Sequence, residues 1–266
     1  MTEATTATER SYRVEALARG LSVLSQFGQS SVELSLTEIA VATGLSKSTA
    51  FRLVRTLEEA GYLLRHAESQ RYRPGLKVLE LGFTALSSLG IRDVARPFLE
   101  LLSRETGETV SLSLLDGLDV VYIDRVRNRS IVGVVLGLGS RIPAHCGSMG
   151  KAMLAHLPAA ELAARLDAAP LAPCTRHSIV DPAELEQELE RVRRRGYAVN
   201  DEELEIGLRA VAAPIRDHNG QVVAATNATG SVRTISSARL VNELAPQVRS
   251  AADRISRAMG FSATSG

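Results

Sequence analysis

The chain has 266 residues, a formal net charge of +1 and 45% hydrophobic residues. This is a globular composition with room for one large domain or two smaller ones, and near-neutral charge means that any nucleic-acid surface must be local. Two cysteines exclude a disulfide framework and fit a reducing compartment, and no run of about 18 apolar residues is present to span a membrane.

The polar, Thr-rich start "MTEATTATERSYR" lacks an apolar signal core, so residues 1–12 are expected to be a disordered tail on a cytoplasmic protein. Val14, Leu17, Leu21 and Leu24 recur at helical spacing and predict an amphipathic helix over Val14–Phe27. A short helix is expected at Thr37–Thr43, broken by Gly44, with Ser46 as N-cap of a third helix over Lys47–Ala60. "YLLRH" and "RYRPG" flank the polar turn "AESQ" and read as a hairpin. Leu76, Leu79, Phe83 and Leu86 then follow a 3-4-3 spacing, the stripe of a helix–helix seam.

From Thr109 the pattern changes to strands: "VSLSLLD", "DVVYIDRV" and "SIVGVVL", with a turn at Asp116–Gly117. Helices are expected at Ser148–His156, Pro158–Asp167 and Asp181–Arg195, the last opened by Asp181, Pro182 and Glu184. Strands resume at "YAVN", "RAVAAPIR" and "QVVAATNAT", and a helix over Ser236–Met259, kinked by Pro246, closes the chain. A mostly antiparallel sheet with helices segregated from it predicts an α+β domain.

Helix, glycine turn, helix and hairpin form a winged helix-turn-helix, whose third helix offers its first turns to the DNA major groove. Ser46, Lys47, Ser48 and Thr49 sit there, with Arg52 and Arg55 one and two turns on and Arg71 in the wing. Hydroxyls and guanidinium groups suit phosphate oxygens and base edges, while Phe51, Leu53, Val54 and Leu57 are expected to pack inward. Six cations against three glutamates give the segment Ser46–Arg73 a local excess of positive charge.

"LTEIAVATGLSKSTAFRLVRTLEEAGYL" followed by "RYRPGLKVLELG" resembles the DNA-binding half of the IclR family of bacterial transcriptional regulators. "RIPAHCGSMGKAMLA" and "GYAVNDEELEIGLRAVAAPIRDHNGQVVAATNATG" are similar to that family's two effector-domain signatures, so the resemblance covers Val14–Gly260. It implies a winged helix at residues 13–75, a linker helix at 76–92 and a GAF-like effector domain at 93–261. It further implies a non-enzymatic, ligand-responsive regulator, more often a repressor, of a catabolic operon, dimeric or tetrameric on operator DNA, without cofactor or metal. The second-half signatures look most like members that govern aromatic-acid catabolism.

"AHCGSMGKAMLA" places small residues where a helix begins, and its backbone N–H groups favour an anion; Gly147 and Gly150 are expected to leave the approach open. Asn227 and Thr229 are two apart on a strand and share a face. The family's effector cavity maps here onto apolar Ile131, Val134, Ile142, Leu208 and Ala210 and onto polar contacts at Ser148, Met149, Asn200, Asn227 and Thr229. This chain shows Asn at several polar contacts where the family carries Ser or Asp. The expected ligand is a small organic or aromatic acid.

Other readings stay open on sequence alone. His145–Cys146 and Cys174–His177 raise a nucleophilic cysteine or a zinc site, though neither pair has the second set that structural zinc needs. A GAF-like enzyme using Cys146, or a constitutive DNA binder without effector, are the alternative functions. "RVRRRG" reads as a helix C-terminus complemented by upstream glutamates, and "DEELE" as a surface turn.

Overall fold

The computed structural model describes residues 14–28, 33–81, 90–127 and 136–262. The chain forms two compact units, Met1–Ser88 and Leu89–Gly266.

In the first unit, α1 (Glu15–Ser25) is followed by α2 (Leu36–Thr43) and α3 (Lys47–Glu59). Ser35 and Glu38 cap α2 reciprocally: the Glu38 N–H donates to Ser35 Oγ at 3.3 Å, and the Ser35 N–H donates to Glu38 Oε2 at 2.7 Å. The start of α2 is therefore set by Ser35, two residues before the expected Thr37. Gly44 ends α2 in the left-handed region (φ 67°), which lets the chain turn within three residues, and Ser46 caps α3 through the Thr49 N–H. The wing is a hairpin of β1 (Leu63–Arg65) and β2 (Tyr72–Pro74), and Leu34 adds a bridge to Tyr72. Val23, Leu34, Ile39, Val54, Leu63 and Tyr72 make the core.

Two expectations fail here. The α1 stripe Val14, Leu17 and Leu21 is exposed, and the buried face is Gly20 and Val23. Gly20 lies opposite Leu53, with room for a Cβ at 4.0 Å from Leu53 Cδ2, so the Gly20–Val23 face is the one that approaches α3. Phe51 is also exposed, since Ala50 and Val54 take the inward positions of α3. Residues 76–81 are helical, with Leu76 and Leu79 exposed; Phe83 and Leu86 lie outside the described residues, as do the expected strand "SIVGVVL" up to Val135, the tail at 1–12, Ile131 and Val134.

The second unit opens with α4 (Ile91–Thr106), so its first helix begins two residues before the boundary expected at 93. The sheet contains β3 (Thr109–Asp116), β4 (Asp119–Val126), β5 (Arg141–Pro143), β6 (Ala198–Asp201), β7 (Leu208–Arg216) and β8 (Val222–Ser231). Their order is β5-β4-β3-β8-β7-β6, with every neighbouring pair antiparallel. The short β5 carries no alternation of its own and was not expected as a strand. Between the strands lie α5 (Ser148–Leu154), α6 (Ala159–Ala168) and α7 (Pro182–Arg195), and α8 (Ala245–Ala258) closes the unit. α4 and α8 pack on one face of the sheet, and α5 packs on the other. The terminal helix is not uniform. A wide turn at Leu240–Leu244, in which the Ala245 N–H reaches the Leu240 carbonyl, precedes Pro246.

Glu38 also accepts from Arg71 Nη2 at 2.7 Å, which ties the wing to the α2 cap. Hydrogen bonds from Ser35 and then from Arg71 lower its pKa to about 2. A carboxylate lowered in the folded state contributes stability that is complete above its unfolded pKa of about 4.3 and is lost as pH falls toward 2. Glu38→Gln should therefore flatten the acid limb of the first unit's stability between pH 4 and 2, read by urea denaturation at stepped pH. An unchanged slope would show that the cap is not ionised as described.

Candidate functional site

The helix-turn-helix presents α3 with Lys47, Ser48 and Arg52 exposed and Thr49 half-buried. The cations divide into two groups. Lys47 and Arg52 form no ion pair among the described residues, whereas Arg55 pairs with Glu58 and Glu59 at 3.3 and 3.2 Å. Arg71 is committed to Glu38 and to the Glu33 carbonyl, and Ser46 to its cap. Ser46 and Arg71 thus shape the surface, while Lys47 and Arg52 are free to touch something else.

The second site lies on the sheet face that carries α5. Strand registers line up two polar rows. One runs Ala198–Ala212–Asn227–Ser111–Arg125, and the next runs Asn200–Ala210–Thr229–Thr109. Asn227, Ser111 and Arg125 of the first and Asn200, Ala210 and Thr229 of the second line a narrow cavity of about 30 Å³, with Tyr122, Leu136, Ile142, Gly147, Ser148, Met149, Leu204 and Leu208 as the other described lining residues. That volume holds about two waters, so a carboxylate group fits as it stands and a ring requires the walls to part.

Every described member of the expected effector set lines this cavity: Ile142, Ser148, Met149, Asn200, Leu208, Ala210, Asn227 and Thr229. Their chemistry differs from residue to residue. Asn227, 4% exposed, accepts from the Ser111 N–H at 3.1 Å and donates to Thr229 Oγ1 at 2.8 Å. Each keeps one donor in reserve, the second amide N–H of Asn227 and the Thr229 hydroxyl. Asn200 is a tether: it donates to the Cys146 carbonyl at 2.7 Å and accepts from the Glu203 N–H at 3.2 Å. Met149 accepts from the Ser113 hydroxyl, and Ser148 Oγ is buried with no partner among the described residues.

Gly147 lines the cavity as expected, but Gly150 does not open it. A Cβ there would meet the Ala144 carbonyl oxygen at 2.1 Å, so this glycine lets α5 lie against the preceding turn. "DEELE" is not simply a surface turn either: Glu203 is buried and receives Lys151 Nζ at 2.5 and 2.6 Å. Lys151 is 1% exposed, and its burial is not legible in sequence because a lysine in an apolar helix reads as an outward residue. Arg125 was missed as well.

Cys146 and His145 sit on a buried helical turn, not on a strand. Burial pushes the Cys146 thiol up, but hydrogen bonding with His145, Cys174 and Ser178 outweighs it and holds the group at about 7. The sulfur faces Ala172 and Ser178 and does not line the cavity. Among the described residues no cluster of three or more His, Cys, Asp or Glu could hold a metal ion. Three of the four arginines of "RVRRRG" are spent locally: Arg191 and Arg195 pair with Glu188, and Arg193 with Glu190.

A winged helix with free cations, followed in one chain by a sheet domain enclosing a polar-walled cavity, is the organisation of a one-component transcriptional regulator. Two family models match, the IclR helix-turn-helix domain over residues 16–67 and the bacterial transcriptional regulator IclR C-terminal domain over residues 83–257. The chain belongs to the IclR family of transcriptional regulators. It is 34% identical over 250 residues to the HTH-type transcriptional regulator XynR of Escherichia coli, covering 94% of this chain and 99% of that one. A Rhodococcus sp. RHA1 protein taken to be a transcriptional regulator has a crystal structure that superposes with a TM-score of 0.79 at 40% identity, covering 93% and 98% of the two chains. An IclR homologue of Microbacterium hydrocarbonoxydans, solved with 4-hydroxybenzoate, superposes with a TM-score of 0.80 at 26% identity over 92% and 99%.

The Lys151–Glu203 pair joins α5 to the turn at 202–207, two of the segments that wall the cavity. Burial raises the Glu203 pKa and Lys151 opposes that shift. Lys151→Met strands a buried carboxylate and should cost about 3–5 kcal/mol of second-unit stability, most of it recovered in Lys151→Met/Glu203→Leu. Urea denaturation checks both; a single-variant loss under about 1 kcal/mol would mean that water reaches the pair.

Proposed function

We propose that this protein is a ligand-responsive repressor of a catabolic operon. It grips a pseudo-palindromic operator as a dimer through α3 and senses a small organic or aromatic acid in the cavity of its second unit. The observation that carries the reading is the polar row on an otherwise apolar, buried sheet face. Among the described residues Asn227, Thr229 and Ser148 keep donors without a partner, and the oxygens of a small organic acid are their natural complement. The 4-hydroxybenzoate bound by the Microbacterium homologue supports the ligand class. Exposed Leu76 and Leu79 support pairing of two chains through the helix after the wing, with tetramers built from such dimers. Ligand binding would shift the population of DNA-competent arrangements.

On the DNA side, Arg52→Ala should cost about 1–3 kcal/mol of operator affinity if Arg52 reads a base edge. Lys47→Ala should weaken binding on all sequences and flatten its salt dependence. Fluorescence anisotropy over a salt series reads both, and unchanged affinity in the two variants would remove α3 from the interface.

On the ligand side, Asn227→Ala should weaken binding of the inducing acid about tenfold or more, since an unsatisfied polar contact costs about 1–3 kcal/mol. Operator binding without ligand should be unchanged. Calorimetric titration with benzoates and short keto acids, alongside gel shifts, tests this. Wild-type titration by both Asn227→Ala and Thr229→Ala would place the ligand elsewhere.

A further inference from the structure

The cavity wall contains one cation that the effector set inferred above does not include, and a backbone irregularity puts it there. On β4, strict alternation would set Val121, Ile123 and Arg125 on one face and Val120, Tyr122 and Asp124 on the other. The register breaks this pattern: Ser113 pairs with Tyr122, but its neighbour Leu112 pairs with Asp124, which leaves Ile123 as an extra residue. Such a bulge re-aims the strand beyond it. Tyr122 and Arg125 consequently both line the cavity. Asp124 points to the opposite face, where it accepts from Arg96 Nη1 at 2.8 Å and stands 3.6 Å from Arg92 Nε. The carboxylate adjacent in sequence is therefore committed to α4 and does not neutralise Arg125.

Arg125 has one hydrogen bond from its guanidinium, Nη1 to the Leu136 carbonyl at 2.8 Å. Its Nε is buried and has no partner, and the side chain forms no ion pair, among the described residues. Ser148, 2% exposed, faces the same cavity with its hydroxyl unpartnered. A charged donor and a neutral donor thus meet in a space that holds little more than a three-atom planar group. A carboxylate matches both: it is acceptor-only, carries one charge and takes N–H groups of a guanidinium edge side by side. A phosphate dianion would need more donors and a second cation, and among the described residues no other cationic side chain lines the cavity.

We infer that Arg125 is the carboxylate anchor of the effector cavity, with the Ser148 hydroxyl as second donor, and that Arg125 sets the preference for an acid over its neutral amide. The inference rests on the reading of this cavity as the effector site. An amide presents its own N–H groups to donors and carries no charge, so it meets Arg125 without an ion pair. Asn227 and Thr229, neutral and able to serve as donor or acceptor, hold the remainder of the ligand and do not discriminate by charge.

The test is calorimetric titration of the full-length chain with benzoate, 4-hydroxybenzoate and pyruvate, each against its amide. Wild type should favour at least one acid over its amide by about 10–100-fold, the worth of a charge-assisted hydrogen bond. Arg125→Gln, which keeps the polar contact and loses the charge, should bind that acid about 10–100-fold more weakly while its amide is bound as before. Arg125→Lys should retain part of the preference, and it serves as the readout if Arg125→Gln does not fold. Asn227→Ala should weaken acid and amide together. Full acid preference in Arg125→Gln or a wild-type-like Arg125→Lys/Ser148→Ala double variant, with Asn227→Ala still weakened, would overturn the anchor and leave the cavity as the effector site. No binding of any acid to the wild type, or binding that no cavity variant alters, would overturn both.

Discussion

The second unit depends on a buried ion pair. Lys151 and Glu203 are far apart in sequence, one on a seven-residue helix and the other in an acidic turn, and neither would remain under the surface without its partner. Their contact draws the turn at 202–207 across the start of α5. Asn200 reinforces it by holding the Cys146 carbonyl and the Glu203 N–H at once, and Thr175 and Ser178 donate to the Glu203 carbonyl from the loop before α7. Ser148 and Met149 on one side and Leu204 and Leu208 on the other are thereby brought to the same sheet face. Asn227, Thr229 and Ser111 face them from the sheet across the cavity.

The two units use charge in different ways. In the second unit, Arg96, Arg141, Arg195 and Arg239 are spent on carboxylates and carbonyls, which fixes helices and loops in place. In the first, Lys47 and Arg52 at the α3 start form no ion pair among the described residues, while Arg71 and Arg55 hold structure. Solvent-exposed, unpaired cations add little to stability and remain available to phosphates. That division explains how a chain with a net charge of +1 can carry a DNA-binding face.

Much of the first unit could be read from local chemistry. Gly44 and Ser46 mark the turn and the cap by rules that act within a few residues, and the wing strands lie where hydrophobic runs flank "AESQ". Long-range facts were less accessible. That α1 turns its Gly20–Val23 side to α3 is a tertiary contact, which no periodicity of α1 alone can report. In the effector unit, Asn227 and Thr229 were legible because two-residue spacing survives along a regular strand. Arg125 was not, because the bulge at Ile123 reverses the alternation from which its direction would be read. Lys151 and Glu203 were opaque for a related reason: each looks like a surface residue until the fold supplies the other.

The proposed ligand is a small carboxylate that enters the cavity between β8, β4 and the start of α5. Hydrogen–deuterium exchange of the full-length protein, with and without saturating 4-hydroxybenzoate or a short keto acid, addresses it directly, since a ligand there must slow amide opening in the segments it bridges. Added protection is expected in β4, in the first turn of α5 and in β8 around Asn227–Thr229. Protection confined to other segments, with these three unchanged while the ligand is bound, would contradict it.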